Sequence, residues 1–175
     1  MRWLIASVLL FTSLSVQAQN PLYAELNLAA GGVSHSDLDF VPVFGSVSVG
    51  SYVYPGIGIE LFGDSGFESG SDDGLELSFN EAVGAGMRLE SPARRGMQGY
   101  IVLGAVEYTL EQRVENTSSL GLVREDFTGM RISVGLMQRL VRLPALLVSA
   151  EYRHYNAGER LRVDAFVLGL RVNVR

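Results

Sequence analysis

The sequence predicts an all-β chain that folds as an eight-stranded, antiparallel, up-and-down transmembrane β-barrel. Apolar residues recur at every second position, in segment after segment, from residue 22 to residue 174. A period of two is typical of strands whose two faces meet different surroundings. Most of these segments reach the roughly 9–11 residues that a tilted membrane strand needs. The connections alternate between short or basic turns and mostly longer acidic loops, as in up-and-down outer-membrane barrels.

The first eighteen residues are predicted to be an export signal that is removed. Arg2 gives the positive start, residues 3–16 form the apolar stretch, and residues 16–18 form a small-x-small cleavage motif. The apolar stretch is also short for a membrane-spanning helix. The expected organisation is therefore a signal peptide at residues 1–18, followed by one barrel domain at residues 19–175.

Eight strands follow in order along the barrel domain, each predicted by its own alternation. They cover residues 22–33, 41–54, 57–63, 75–90, 99–113, 124–139, 146–156 and 161–174. The third segment is short, and its pattern extends through Phe67. Small residues are frequent on the polar face, where they fit the narrow interior of an eight-stranded barrel.

Three strands show how the two faces are assigned. In the first strand, the apolar face carries Leu22, Ala24 and Leu26, and the polar face carries Glu25 and Asn27. In the last strand, the apolar face carries Phe166, Leu168 and Leu170, and the polar face carries Gly169 and Arg171. In the fifth strand, the apolar face is assigned to Tyr100, Val102 and Val106, and the polar face to Glu107 and Thr109.

The connections fall into two classes that are predicted to lie at opposite ends of the barrel. Those after even-numbered strands are tight or basic, at residues 54–56, 91–98 and 140–145. Those after odd-numbered strands are mostly polar and acidic, at residues 34–39, 64–74, 114–123 and 157–160.

Composition excludes several classes of protein. A formal charge of −5 argues against a general nucleic-acid binder. The chain has no cysteine, which excludes a disulfide framework and a lipid-attachment cysteine. Every basic residue other than histidine is arginine, which suits fixed, bidentate pairing with carboxylates. After the signal, no run of 18 apolar residues occurs, so a helical membrane protein is not expected.

The charged face is predicted to line the barrel lumen. An arginine on the lipid face at the bilayer midplane would cost about 2–4 kcal/mol, so the apolar face is assigned to lipid. Acids fall on upward strands and arginines mainly on downward ones, so neighbouring strands place opposite charges side by side. The predicted lumen network comprises Glu25, Glu60, Arg88, Glu107, Arg131, Glu151, Arg153 and Arg171.

Three cross-strand pairs are predicted within this network: Glu107 with Arg131, Glu25 with Arg171, and Glu60 with Arg88. Three interpretations stay open: a polar core that fills the barrel, a gated ion path, and a substrate site. Glu81 departs from the pattern, because it falls on the apolar face of the fourth strand. A β-bulge or a position near the lipid headgroups would accommodate it.

Local motifs resemble the small OmpA-like outer-membrane β-barrel family over nearly the whole mature chain. Residues 47–61, Val-Ser-Val-Gly-Ser-Tyr-Val-Tyr-Pro-Gly-Ile-Gly-Ile-Glu-Leu, are similar to the second hairpin of that family. Residues 150–153 and 167–172 resemble its seventh and last strands. The resemblance implies a non-enzymatic protein of the outer membrane of a Gram-negative bacterium, with Glu60 in an internal salt-bridge cluster. The ending Val174-Arg175 departs from the terminal aromatic residue of that family.

The partners expected from this resemblance are outer-membrane lipids and lipopolysaccharide, the outer-membrane insertion machinery, and an external partner bound through the loops. A monomer is expected. No cofactor is predicted. No metal site is predicted either, because His35, His154 and the loop acids lack the spacing of zinc or calcium ligands.

Two alternatives stay beside this prediction. Residues 153–158 resemble the His-x-Ser-Asn motif of outer-membrane lipid A deacylases, and Asp164 on the next strand would be the acid. Asn156 stands where the serine nucleophile is needed, so no catalytic residue is predicted. A soluble, periplasmic, lipocalin-like barrel would instead bury its apolar face inside and expose its charges.

Overall fold

The structure is a computed structural model that describes residues 22–35, 38–40, 43–67, 70–72, 75–114, 122–156 and 161–174. These residues form ten β-strands. They are β1 (Leu22–His35), β2 (Leu38–Phe40), β3 (Val43–Tyr54), β4 (Ile57–Gly66), β5 (Gly70–Asp72), β6 (Leu75–Glu90), β7 (Met97–Val114), β8 (Leu122–Arg139), β9 (Leu146–Asn156) and β10 (Leu161–Val174).

The long strands form a closed, all-antiparallel barrel. Neighbours in the sheet follow the order β1, β3, β4, β6, β7, β8, β9 and β10, and β10 pairs with β1 to close the wall. The closing pair runs from Leu22 opposite Val174 to His35 opposite Leu161. Closure satisfies the backbone donors and acceptors that an open sheet edge would leave exposed. The predicted eight-stranded, up-and-down barrel is confirmed.

The two ends of the barrel differ in their connections. The turn end holds the hairpin turn at residues 55–56 and the turns at 91–96 and 140–145. The N-terminus of β1 and the C-terminus of β10 also lie there. The loop end lies opposite and holds the short strands β2 and β5, which pair with β1 and β6. Part of the predicted acidic loops is therefore strand: β4 extends to Gly66, and Asp64 is a buried strand residue.

Alternation sorts the wall into an apolar outer face and an inner face that is rich in charge. Along β9, Leu147, Ser149, Glu151 and Arg153 are buried, whereas Val148 and Tyr152 face outward. Apolar outward side chains occur on all eight long strands. They include Leu26, Leu28, Val47, Ile59, Val83, Leu103, Val134, Leu136, Val148 and Leu168. The lipocalin-like alternative is wrong, because the apolar face is outside.

Strand β7 corrects one face assignment. Apolar residues occupy both of its faces, so alternation alone does not say which face is inner. Tyr100, Val102 and Val106 are buried in the lumen, whereas Ile101 and Leu103 face outward. Alternation assigned Tyr100, Val102 and Val106 to the lipid-facing side of the wall, and the structure places them in the lumen.

Glu107 is therefore on the outer face of the wall, not in the lumen. Its side chain is exposed, and its Cα partners are Val83 and Thr128. Arg131 lies opposite Gly104 and points inward. The predicted Glu107–Arg131 pair is wrong, because it rested on the face assignment of β7.

Glu81 lies on the outer face of β6, as its position in the alternation indicated. The register between β6 and β7 shifts between Phe79 and Glu81, an irregularity of the kind that the first of the two predicted accommodations, a β-bulge, would produce. The predicted signal peptide, residues 1–18, lies outside the described residues. Within the described ranges, no helix has the length and apolar character needed to cross a membrane.

The outer face predicts a stability cost that depends on depth. Leu26 is 62% exposed, lies midway along the apolar positions of β1, and has Leu170 and Val47 beside it. Leu26→Arg should lower the free energy of unfolding by about 2–4 kcal/mol in lipid vesicles. Leu22→Arg, the matched control at the turn end, should cost about 0–1 kcal/mol. Urea titration of vesicle-inserted protein measures both values, and equal costs would contradict an apolar belt.

Candidate functional site

The lumen contains a network of buried charges that runs along the barrel axis. Its cations are Arg88, Arg131, Arg153 and Arg171, each at most 1% exposed. Its anions among the described residues are Glu25, Glu60, Asp64, Glu90 and Glu151, whose side chains are at most 5% exposed. Isolated buried charges are very costly, so the contacts among these groups determine whether the lumen is stable.

At the turn end, Glu90 joins two arginines. The Glu90 Oε1 atom lies 2.7 Å from Arg171 Nη1 and 2.8 Å from Arg88 Nε. Arg171 also donates hydrogen bonds to the Tyr52 hydroxyl and to Asn173 Oδ1. The Arg171 guanidinium lies over the Tyr23 ring, 3.7 Å from its centroid. One carboxylate therefore begins the network and orients two guanidinium groups.

In the middle of the lumen, Arg88 reaches two further carboxylates. Arg88 Nη1 lies 3.2 Å from Glu25 Oε2 and 3.3 Å from Glu60 Oε2. The other Glu25 oxygen accepts a hydrogen bond of 2.8 Å from Ser149. The Arg88 guanidinium also lies 3.8 Å from the centroid of the Tyr100 ring. Arg88 is thus the residue that connects the turn end to the middle of the network.

Toward the loop end, the network continues through two more arginines. Arg131 Nη2 lies 3.8 Å from Glu60 Oε1 and 3.5 Å from Glu151 Oε1. Arg153 Nε donates to Glu151 at 2.7 Å, and Arg153 Nη1 donates to Asp64 at 3.0 Å. The contacts therefore form one connected path from Arg171 to Asp64.

Three tyrosines donate to the acids of this path. The hydroxyls of Tyr23 and Tyr100 donate to Glu60 and Glu151, both at 2.9 Å, and the Tyr155 hydroxyl donates to Asp64. Hydrogen bonds to ionised acceptors are the strong ones in proteins. Each donor lowers the desolvation cost of its buried carboxylate.

Glycines make room for two of these tyrosines. Gly50 lies opposite Tyr23 on β3, and Gly135 lies opposite Tyr100 on β8. A methyl group at Gly50 or Gly135 would lie 2.4 or 2.5 Å from the tyrosine ring carbon that bears the hydroxyl. The small residues of the inner face therefore determine where the aromatic donors can lie.

Apolar side chains fill the lumen on both sides of the charges. Ala29, Phe44, Phe62 and Val163 belong to a buried cluster that also contains Tyr155, at the loop side. Near the turn end, Tyr100, Val102, Met137 and Leu147 form a second cluster. An eight-stranded barrel filled in this way resembles a packed core more than a channel.

Four buried polar atoms have no hydrogen bond within the described part of the chain. They are Glu60 Oε1, Arg88 Nη2, Arg131 Nη1 and Arg153 Nη2. Buried polar groups of this kind are typically satisfied by internal water molecules. Three of the four are guanidinium nitrogens, which can only donate. Three guanidinium groups of the network therefore each have an N–H donor available for a small hydrogen-bond acceptor.

Seven of the eight predicted network residues lie in the lumen, and Glu107 does not. Glu25 and Arg171 are Cα partners, as predicted, but the described ion pairs of these residues go to Arg88 and Glu90. Sequence reasoning missed Glu90 and Asp64. The extended pattern of the third predicted strand is the signal that could have placed Asp64 on the inner face.

The predicted acid of the deacylase-like motif does meet its histidine. His154 Nδ1 lies 2.6 Å from Asp164 Oδ1, and the Tyr152 hydroxyl donates to the same oxygen at 2.5 Å. These three residues face outward toward the loop end. Asn156 is exposed beside them, and Ser149 faces the lumen. Asn156 therefore stands at the position where the deacylase motif has its serine nucleophile.

A second polar cluster lies on the outer face toward the loop end. Glu81, Glu107 and Asp126 line a shallow pocket there with Val83 and Thr109. Thr109 donates a 2.8 Å hydrogen bond to Asp126. Within the part of the chain that the structure describes, no three His, Cys, Asp or Glu side chains come together in a geometry that could hold a metal ion. The side chains of His35 and of the predicted loop acids Asp37 and Asp39 lie outside that description.

Solved structures share this architecture. No protein-family profile matches the sequence, and no curated protein does. Neisserial surface protein A superposes with a TM-score of 0.64 at 18% identity, covering 86% of this chain and 96% of the other. The chain has the fold of the small outer-membrane β-barrels. The resemblance found in the sequence is confirmed at the level of the fold.

Two further outer-membrane barrels support the same conclusion. Ail, the attachment invasion locus protein of Yersinia pestis, has a TM-score of 0.64 at 13% identity, covering 89% of this chain and 99% of the other. The N-terminal β-barrel domain of Pseudomonas aeruginosa OprF has a TM-score of 0.59 at 15% identity, with the same coverage. Identities this low establish the fold alone.

The network predicts a large cost for removing its most connected cation. Arg88→Met would leave Glu25, Glu60 and Glu90 without their shared partner, and it should lower the free energy of unfolding by about 3–5 kcal/mol. Arg88→Lys should cost less, because it keeps the charge but loses the planar fork. The control Arg142→Met lies on an exposed turn and should change stability by less than about 0.5 kcal/mol. Urea unfolding followed by gel mobility measures all three, and equal losses at Arg88 and Arg142 would contradict the network.

Proposed function

We propose that this protein is an integral outer-membrane β-barrel of a Gram-negative bacterium, exported by a signal peptide at residues 1–18. The observation that carries the proposal is the division of the wall into an apolar outer face and a charged lumen. Outward Leu26 and Leu168 are 62% and 69% exposed, whereas inward Glu25 and Arg171 are 2% and 1% exposed. A barrel surrounded by water has no reason for this arrangement, whereas a barrel surrounded by lipid requires it.

The turn end would face the periplasm and the loop end the exterior, as the lengths of the connections suggest. Because the eight long strands close on one another, the wall has no unpaired long-strand edge through which copies would join, which favours a monomer. Lipids and lipopolysaccharide would surround the wall, and the outer-membrane insertion machinery would place it there.

The role that we propose is structural, or recognition of an external partner through the loops. The lumen is filled by ion pairs and two apolar clusters, which disfavours a wide pore. In this proposal, Glu25, Glu60, Arg88, Arg131, Glu151, Arg153 and Arg171 form a structural network. Glu107 belongs to the outer face instead.

The charge of the loop end suggests the chemistry of an external partner. Ail was crystallised with the heparin analogue sucrose octasulfate, a polyanion. In this chain, acids outnumber arginines in the loop-end connections, and Glu81, Glu107 and Asp126 add to them on the adjoining wall. An acidic surface repels polyanions, so we propose a basic partner rather than a heparin-like one.

We propose no enzymatic activity. His154 and Asp164 form an acid–base pair, but Asn156 replaces the nucleophile of the deacylase motif. Expression of the protein should leave the acyl pattern of lipid A unchanged in mass spectra. Loss of an acyl chain that depends on His154 would contradict this part of the proposal.

Membrane residence is tested by fractionating cells that express the full chain. The protein should sediment with outer membranes and resist extraction by high salt. Its gel mobility should change on boiling, because a closed barrel stays folded in detergent until heated. A soluble periplasmic protein in the same cells is the control. Recovery of the chain with that control would overturn the proposal.

A further inference from the structure

The turn end carries a one-sided charge. In the described turns at residues 91–96 and 140–145, and at Arg139, the last residue of β8, every charged residue is an arginine: Arg94, Arg95, Arg139 and Arg142, all exposed. The nearest acid in sequence, Glu90, faces the lumen, where it is engaged by Arg88 and Arg171. This end of the barrel therefore presents four cations and no acid on its described surface.

Hydrogen bonds join the two basic turns into one surface. The Arg139 backbone N–H donates to the Gly96 carbonyl at 2.9 Å, and the Gln138 side chain donates to the Arg95 carbonyl at 3.5 Å. Arg95 has a φ of 53°, and Gly96 has a φ of 82°. Positive φ values at both turn positions favour glycine and asparagine, yet the first position here is Arg95, whose long, charged side chain is exposed.

A groove opens on the outer wall beside Arg94. It has a volume of about 400 Å³ and is lined by Ser91, Pro92, Arg94, Met97, Gly99 and Leu136. Met97 is 50% exposed and Leu136 is 57% exposed. Leu136 belongs to the apolar outer face of β8, so the groove runs from a cation at the turn into the apolar belt.

The turn at residues 140–145 also combines an arginine with exposed apolar side chains. Val141 is 95% exposed and Leu143 is 55% exposed, and Arg142 lies between them in the sequence. Apolar side chains flanked by arginines suit the boundary between lipid headgroups and acyl chains, where each part meets its preferred surroundings. A purely aqueous polyanion would leave these apolar side chains in water.

We propose that this groove and the surrounding arginines form a binding site for an anionic phospholipid, with the phosphate at Arg94 and Arg95 and an acyl chain along Met97 and Leu136. The inference rests on the proposed membrane residence. It adds a specific partner for the turn end, in the leaflet that faces the periplasm. Positive charge near an anionic lipid surface and apolar contact along the chain both contribute to such binding.

Native mass spectrometry of the folded protein tests the proposal. The full chain is released from bilayers that contain equal amounts of phosphatidylglycerol and phosphatidylethanolamine with identical acyl chains. The wild-type protein should retain phosphatidylglycerol in preference. The Arg94→Gln/Arg95→Gln variant should lose that preference by about tenfold or more. The control Arg113→Gln/Arg162→Gln, which removes the same charge toward the loop end, should keep it.

The outcomes separate this inference from the proposed function. Failure of the wild-type chain to insert would overturn membrane residence itself. Insertion with equal retention of the two lipids, or with equal loss in both double variants, would overturn the lipid site alone. Displacement of the lipid by a soluble, acidic peptidoglycan fragment would also overturn it, because the apolar half of the groove would then have no role.

Discussion

The narrow lumen of an eight-stranded barrel is the constraint on which the rest of this structure depends. The wall must show an apolar face to lipid, so charges at the depth of the apolar belt can only turn inward. The outward acids Glu81, Glu107 and Asp126 lie toward the loop end. Inside, each guanidinium needs carboxylates within reach, because an unpaired buried charge is prohibitive. Arg88 meets this requirement with Glu25, Glu60 and Glu90. The inner glycines follow from the same constraint, since Gly135 leaves the space that the Tyr100 ring needs beside Glu151.

Because side chains fill the lumen, the surfaces available to a partner are the two ends and the outer wall of the barrel. The two ends differ in charge: arginines occupy the described turns at the turn end, and acids predominate in the connections at the loop end. Between the two ends, apolar side chains on all eight long strands form the outer face. The difference in charge is the basis on which different partners are proposed for the two ends. The His154–Asp164 pair shows the limit of motif reasoning, because the acid meets its histidine while Asn156 occupies the position of the motif's serine.

Sequence alone predicted most of the fold, because a period of two and the spacing of turns are local properties. It predicted the register across the closing seam, where Glu25 lies opposite Arg171. It predicted the Glu60–Arg88 pair between the neighbouring strands β4 and β6. It did not predict the ion pairs that cross the lumen, because in a narrow barrel an arginine also reaches a strand that is not its neighbour, as Arg153 does to Asp64. It failed at Glu107, because β7 is apolar on both faces and alternation then loses its meaning.

If the lumen charges stabilise one another, Arg153 and Asp64 must be coupled in energy, and a double-mutant cycle on the two residues measures that coupling directly. Their atoms lie 3.0 Å apart at the loop side of the network. Arg153→Met, Asp64→Asn and the double variant would be unfolded in urea from lipid vesicles. The sum of the two single losses should exceed the loss in the double variant by about 1–3 kcal/mol. Losses that add to within about 0.5 kcal/mol would contradict it.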